Sequence, residues 1–424
     1  MSYFILLVVL FFLVTKYEKT ICFLIAFCPL LNMIGVTNSI NIFQIVSVLA
    51  VILFFIKNKY TRIKRVPNYI PFPFTLTLIF VCITHVLANI MTIPHWPSSI
   101  AFIMSEYMMV FVVWNIFQER VEYQKVFFTA FTAFISIIVF YCMVEFMLQD
   151  NPIYRWYTNT SMFMGYDADR SQDIRFGSMR CHSLLTDVGA LGTVCDIAFC
   201  LFIFQLKRIQ KRKAVIRYAF ILLMFLCVAS TFLTGTRTVI LALGLGLLVC
   251  SFSLKYKTKI RILGIIVILC MIFADFLFEI LLAFTDTESV RGSSSDMRQL
   301  QWNVVLTALS SSPIWGLGWE GTASIMKRFV SAYGLESAWF QILVNFGILG
   351  AISFALSFLQ GFVLAFKNKN IVAIAIIAIF LVVKTMSSIP GIGEGYFLYI
   401  ISYLIISQTS SNTRKYEIGN NNNA

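Results

Sequence analysis

The stretch Ile262-Leu-Gly-Ile-Ile-Val-Ile-Leu-Cys-Met-Ile-Phe-Ala-Asp-Phe-Leu-Phe-Glu-Ile-Leu-Leu-Ala-Phe284 decides the fold class. Only Asp275 and Glu279 carry charge in it. A helix of about 20 apolar residues matches the ~30 Å hydrocarbon core of a bilayer. Segments of this kind recur along the whole chain, beginning near residues 3, 20, 40, 69, 98, 126, 185, 214, 239, 262, 336, 371 and 395. Composition agrees: 59% of residues are hydrophobic, 12% are charged, and the mean hydropathy is +0.83. A soluble domain carries about 25% charged residues. The expected fold is an all-α polytopic integral membrane protein with about 11–13 transmembrane helices. A single transmembrane domain is expected over residues 1–406, followed by a polar, Asn-rich, disordered tail over 407–424. Met1 to Thr15 is apolar without a basic leader and reads as a retained first helix or signal anchor.

The formal charge of +13 would suggest nucleic acid on a soluble protein. Here the basic residues sit in short clusters between apolar spans, which a positive-inside topology explains without nucleic acid. The clusters are Lys57 to Arg65, Lys207 to Lys213, Lys255 to Arg261, and Lys367 with Lys369. An even number of spans separates each from the next, so all four fit on one side. Nine of the ten cysteines lie inside apolar segments and only Cys181 falls in a polar loop, which argues for packing in lipid and against a disulfide framework.

This topology leaves two large extracytoplasmic loops, about 149–186 and 285–335, with short outer turns near His95, Thr234 to Thr238 and Pro390 to Glu394. The loops carry Arg155, Arg170, Arg175, Arg180, Arg237, Arg291, Arg298 and Arg328, against Lys327 alone. A charge rule predicts few basic residues there. Arginine is favoured where a planar fork grips phosphate or carboxylate, so an anionic ligand such as a pyrophosphate is one reading. The plainer reading pairs these arginines with loop acids such as Asp167, Asp169, Asp173, Asp286, Glu288 and Asp296. Arg237 is the sharpest case. It closes Leu233-Thr234-Gly235-Thr236-Arg237-Thr238, a tight turn between two apolar helices, where a cation needs a partner or a function.

The second loop reads Arg298-Gln299-Leu300-Gln301-Trp302 and then Pro313-Ile314-Trp315-Gly316-Leu317-Gly318. A helix opening at Glu336-Ser337 carries Gly347-Ile348-Leu349-Gly350 eleven residues later. These blocks resemble those shared by bacterial O-antigen ligases and O-antigen/capsule polysaccharide polymerases of the Wzy type. The Thr-Gly-Thr-Arg-Thr turn is similar to that family's Gly-Ser/Thr-Arg turn, and Arg175 and Arg180 look like its first-loop arginines. Family ligases place His where this chain has Glu336, a departure that favours a polymerase.

The resemblance implies a GT-C-like glycosyltransferase architecture. It also implies transfer between polyprenyl-pyrophosphate-linked oligosaccharides on the outer face of a bacterial inner membrane. Such a reaction needs donors aimed at a departing pyrophosphate and a base for the acceptor hydroxyl. Arg237 and Glu336 are the catalytic candidates, Glu336 as the base. Arg175, Arg180, Arg291, Arg298, His182 and Trp302 are the substrate-binding candidates. The bland readings are a helix-capping carboxylate for Glu336 and a solvated loop histidine for His182. Arginines can stand in for a cation at a pyrophosphate, so no metal and no cofactor are expected. The expected partners are the lipid-linked oligosaccharide, membrane lipid and a chain-length regulator protein. The alternatives are a ligase of the same family and a flippase or transporter for the same lipid-linked glycan. Gly316-Leu317-Gly318-Trp319-Glu320-Gly321 fits a dinucleotide fingerprint by spacing, but it has no βαβ context and reads as a turn.

Overall fold

The computed structural model describes residues 2–36, 40–57, 96–159, 174–175, 178–185, 187–209, 214–252, 294–318, 321–326, 334–387 and 393–421, with Ile260, Gly264 and Met271 as single positions. The spans expected from residues 69 and 262, and the candidate Arg291, lie outside the described residues.

The described chain is helical. The N-terminal third contains α1 (Ser2–Thr15), α2 (Tyr17–Ala26), α3 (Cys28–Leu31), α4 (Ile42–Lys57), α5 (Trp96–Ile103), a π-turn (Met104–Met108) and α6 (Met109–Glu119). Next come α7 (Val121–Leu148), α8 (Pro152–Asn159), α9 (Val188–Leu206), α10 (Ala214–Leu233) and α11 (Arg237–Ser251). The last part holds α12 (Ser294–Ser311), α13 (Gly321–Met326), α14 (Ala338–Lys367), α15 (Ile371–Met386) and α16 (Glu394–Asn421). One exception to helix is a two-residue hairpin pairing β1 (Ile174–Arg175) with β2 (Ser178–Met179).

Five described helices are long and apolar enough to cross a membrane: Ile100–Glu119, Val121–Leu148, Val188–Leu206, Ala214–Leu233 and Ala338–Lys367. Their outer surfaces fit a lipid solvent. On α7, Ile137, Phe140, Val144 and Met147 are exposed together, a stripe that water would penalise and acyl chains accept.

One expectation needs correction. The separate spans expected from residues 3 and 20 are α1 and α2, parted by Lys16 alone, with Lys16 N–H donating to Phe12 O and Thr20 N–H to Lys16 O across the break. At 14 and 10 residues, rising ~1.5 Å each, neither alone spans the hydrocarbon. The helix α16 runs from Glu394 to Asn421, through the polar tail.

The bundle is organised around α9, buried along its whole length from Gly189 to Phe204. Lipid supplies little drive for helices to pack, so close approach through small residues does the holding. Val239 fills the space beside Gly192, and Ile379 of α15 fills the space beside Gly246 of α11. Aromatic rings knit α14, α15 and α16: Phe358 stacks on Phe380 at 3.6 Å, and Phe380 meets Phe397 edge-on at 4.7 Å.

Cross-helix contacts define two ends. Arg208 reaches Ser407 O, Asn370 reaches Leu404 O, and Gln408 reaches Asn368 O. The described members of the basic clusters beyond Lys57 thus gather at one end, the arrangement a positive-inside topology requires. At the opposite end Cys181 N–H meets Leu233 O, Lys384 meets Glu394, and Glu106 meets Gly395. The starts of α9, α11 and α16 and the last turn of α15 share this second end.

Candidate functional site

At the second end, two arginines meet at the α10–α11 turn. Gly235 adopts φ +58°, a left-handed conformation that glycine takes at little cost, and it ends α10 abruptly. Thr236 is the N-terminal cap residue of α11, so Arg237 opens the next helix. Arg180 braces this turn from the preceding loop: its Nε donates to Thr234 O at 2.9 Å and its Nη2 to Thr236 Oγ1 at 2.9 Å. The Arg180 stem packs over Gly235, where an added Cβ would stand 3.4 Å from Arg180 Cγ.

Arg180, expected as a ligand contact, therefore shapes the loop that presents Arg237. Arg180→Lys cannot reproduce the two-point fork. Lysine is expected to lower the melting temperature of the purified protein by a few degrees, matching the loss of about one hydrogen bond to a charged donor.

The second arginine is held by a separate construction. Pro313 to Gly318 forms a turn that inserts into a break in α14. Gly347 sits at φ +65°, ψ −164° in the middle of that helix, a conformation nearly exclusive to glycine. The freed groups are taken up across the break: Leu317 N–H donates to Val344 O at 2.7 Å, Gly318 N–H to Asn345 O at 2.9 Å, and Ile348 N–H to Pro313 O at 3.0 Å. Gly316, at φ +73°, packs so closely that a Cβ would lie 2.5 Å from Gly347 N. Asn345 Oδ1 accepts from both Thr322 N–H and Thr322 Oγ1, tying α13 to the same point. Val304, Val305, Ala308, Ile325, Leu335 and Val344 form a small apolar core of their own beneath.

This unit aligns α12 with the start of α14. Arg298 Nη2 lies 3.3 Å from Glu336 Oε2 and also donates to Met386 O at the end of α15. Ser337, not Glu336, is the N-terminal cap residue of α14, so Glu336 stands one residue outside the helix and faces Arg298. The capping reading of Glu336 is therefore not the arrangement observed. The carboxylate is 59% exposed, open to a large substrate. Trp302, one turn along α12 from Arg298, is exposed and lies against Phe340 with ring centres 5.5 Å apart. Trp339 donates its Nε1–H to Thr385 Oγ1.

Other candidates fall elsewhere. Arg175 lies in β1, and its side chain is outside the described set. His182 is buried, 5% exposed, rather than solvated. Its ring meets Tyr154 edge-on at 4.3 Å, and Nδ1 lies 2.9 Å from Leu185 O, which marks that nitrogen as the protonated one. The neighbouring Glu145 accepts from Asn151 at 2.8 Å, His182 N–H at 3.3 Å and Ser183 N–H at 2.6 Å. His182 is thus a packing member of the first loop and offers no open face to a ligand. Arg155 pairs with Asp150, as the plainer reading of the loop arginines holds. Asp187 caps α9, accepting from Gly189 N–H at 2.7 Å and Ala190 N–H at 3.2 Å.

Burial pushes the His182 imidazole down to about 4. An unfolded histidine titrates near ~6.5. Between those values the unfolded chain binds the extra proton, so stability rises with pH across that window. The contribution of His182 to stability therefore falls as pH drops from about 6.5 towards 4, and His182→Gln should remove that contribution from the pH dependence of thermal unfolding.

Residues 222–355 match the family model described as O-antigen ligase. This match supports the O-antigen ligase/polymerase superfamily. The matched segment runs from within α10 into α14. It encloses the Arg237 turn, the Arg298–Glu336 pair, Trp302 and the Gly316–Gly347 interlock, and it leaves out Arg175, Arg180 and His182. No curated protein matches the chain. Sequence reasoning missed Asn345 and Gln301, whose Oε1 accepts from Glu336 N–H at 3.4 Å. The signal for Asn345 was an amide in an apolar helix two residues before a glycine.

Proposed function

We propose that this protein is a glycosyltransferase of the O-antigen ligase/polymerase superfamily that polymerises polyprenyl-pyrophosphate-linked oligosaccharides into O-antigen or capsular polysaccharide. The reaction takes place on the outer face of a bacterial inner membrane, by a metal-independent, inverting transfer. The observation that carries this reading is the Arg298–Glu336 pair at 3.3 Å, set at the bundle end that also presents Arg237.

In the proposed reaction the acceptor hydroxyl oxygen attacks the anomeric carbon of the growing chain. The bond from that carbon to the lipid pyrophosphate breaks, and the hydroxyl proton passes to Glu336. Negative charge grows on the departing pyrophosphate. Guanidinium groups aimed there favour the transition state over the ground state. Arg237 and Arg298 are assigned this role. A pyrophosphate that recruits Arg298 also releases Glu336 from its ion pair, leaving the carboxylate available as base. Glu336 in the place where family ligases carry His favours polymerase over ligase.

Reconstitution in liposomes with a lipid-linked repeat unit separates the readings. Polymerase activity yields longer glycans still attached to lipid pyrophosphate. A ligase moves glycan only when a second acceptor lipid is supplied. A transporter moves the lipid-linked repeat across the bilayer without lengthening it. Either of the last two outcomes overturns the proposal.

A further inference from the structure

Three more ionisable side chains are buried together beside this site. Lys384 Nζ lies 3.6 Å from Glu394 Oε1, and both groups are buried. Glu106, also buried, accepts from Gly395 N–H through Oε2 at 2.6 Å. Glu106 stands in the π-turn between α5 and α6, a local widening that occurs mostly at functional positions. Gly393 and Gly395 leave room for it: a Cβ at Gly393 would lie 2.1 Å from the Glu106 carboxylate, and one at Gly395 would lie 2.6 Å from the Glu106 carbonyl oxygen. Tyr399 adds a hydrogen bond to Ser105 O in the same π-turn. Buried charges are costly even when paired, and the best-attested use of such groups is to fix one geometry.

The geometry fixed here is the last turn of α15. Lys384 is followed directly by Thr385, which accepts the Trp339 indole N–H at 3.2 Å. Next comes Met386, whose carbonyl accepts from Arg298. We propose that Lys384, Glu394 and Glu106 are positioning residues: by pinning the end of α15 to the start of α16 and to the π-turn, they set where Arg298, and through it Glu336, stands. This assignment rests on the glycosyl-transfer reading only for its effect on turnover.

The test uses the full chain in lipid nanodiscs, labelled with 5-fluorotryptophan, the Trp339 resonance being identified by its loss in Trp339→Phe. Lys384→Met should shift that resonance and lower the rate of glycan lengthening about 10²-fold, the scale of a 1 Å misplacement, with KM for the lipid-linked repeat nearly unchanged. Lys384→Arg, and the exchanged pair Lys384→Glu with Glu394→Lys, should restore both. Should Lys384→Met fail to fold, Glu394→Gln removes the same pairing with less change of shape. An unshifted Trp339 resonance in a folded variant, or an exchanged pair no better than the single change, overturns the proposal. If the wild-type protein lengthens no glycan, the functional reading falls, while the Trp339 resonance still decides the positioning role.

Discussion

Glu336→Gln and Arg237→Ala are each expected to reduce glycan lengthening by at least about 10²-fold, with both proteins folded and at wild-type abundance. The size follows from what each group supplies: a positioned general base contributes about 10²–10⁴-fold, and one donor aimed at developing negative charge about 10²–10³-fold. Glu336 is exposed and lies outside the α14 helix, so its amide costs little stability. Glutamine keeps the shape but cannot take a proton, so kcat falls while KM holds. Arg237→Ala removes charge that matters most as the pyrophosphate leaves, so it too acts on kcat. Single-turnover rates with a radiolabelled lipid-linked repeat check both. Combining Glu336→Gln with Arg298→Gln should cost less than the sum of the two, because Arg298 and Glu336 already act on each other at 3.3 Å.

Gly347→Ala is expected to have the largest effect on stability. Its φ of +65° with ψ −164° is closed to alanine, and an added Cβ would stand 2.4 Å from Ile314 O. The backbone term alone costs on the order of 1–3 kcal/mol. The clash forces the Pro313–Gly318 turn out of the break, which strips Leu317 N–H, Gly318 N–H and Ile348 N–H of their partners. Each unpaired buried group adds about 1–3 kcal/mol. The variant should melt many degrees below wild type in detergent or fail to accumulate. Gly244→Ala in α11 is the milder comparison, because an added Cβ there meets nothing within 4 Å. If Gly347→Ala melts within a degree of wild type, the interlock is not what holds α12 to α14.

The polytopic class was legible because lipid selects on composition: the apolar runs at 126, 185, 214 and 336 became α7, α9, α10 and α14. The Arg237 turn was legible because Gly235 marks a helix end between two such runs. What was not legible arises from contacts between distant segments. Nothing near Gly347 announces that Pro313 to Gly318 enters the helix there, since neither stretch alone carries unpaired groups. The runs at 3 and 20 were separable because Lys16, Glu18 and Lys19 lie between them, but hydropathy does not show that α1 and α2 abut with Lys16 alone between them. His182 was read as a substrate contact or a solvated loop histidine because loop position predicts exposure, whereas Glu145, Asn151 and Tyr154 enclose it. Arg180 and Arg298 were both read as anion grips, and that the structure also sets them against a turn carbonyl and a carboxylate 38 residues along the chain is invisible to charge counting.

The most direct measurement is a cryo-EM reconstruction of Glu336→Gln, which holds substrate without turnover, bound to a polyprenyl-pyrophosphate-linked repeat unit. The account predicts diphosphate density within hydrogen-bond reach of Arg237 and Arg298, with the acceptor sugar facing residue 336. Diphosphate held elsewhere, with Arg298 still turned to residue 336 and to Met386, would contradict it.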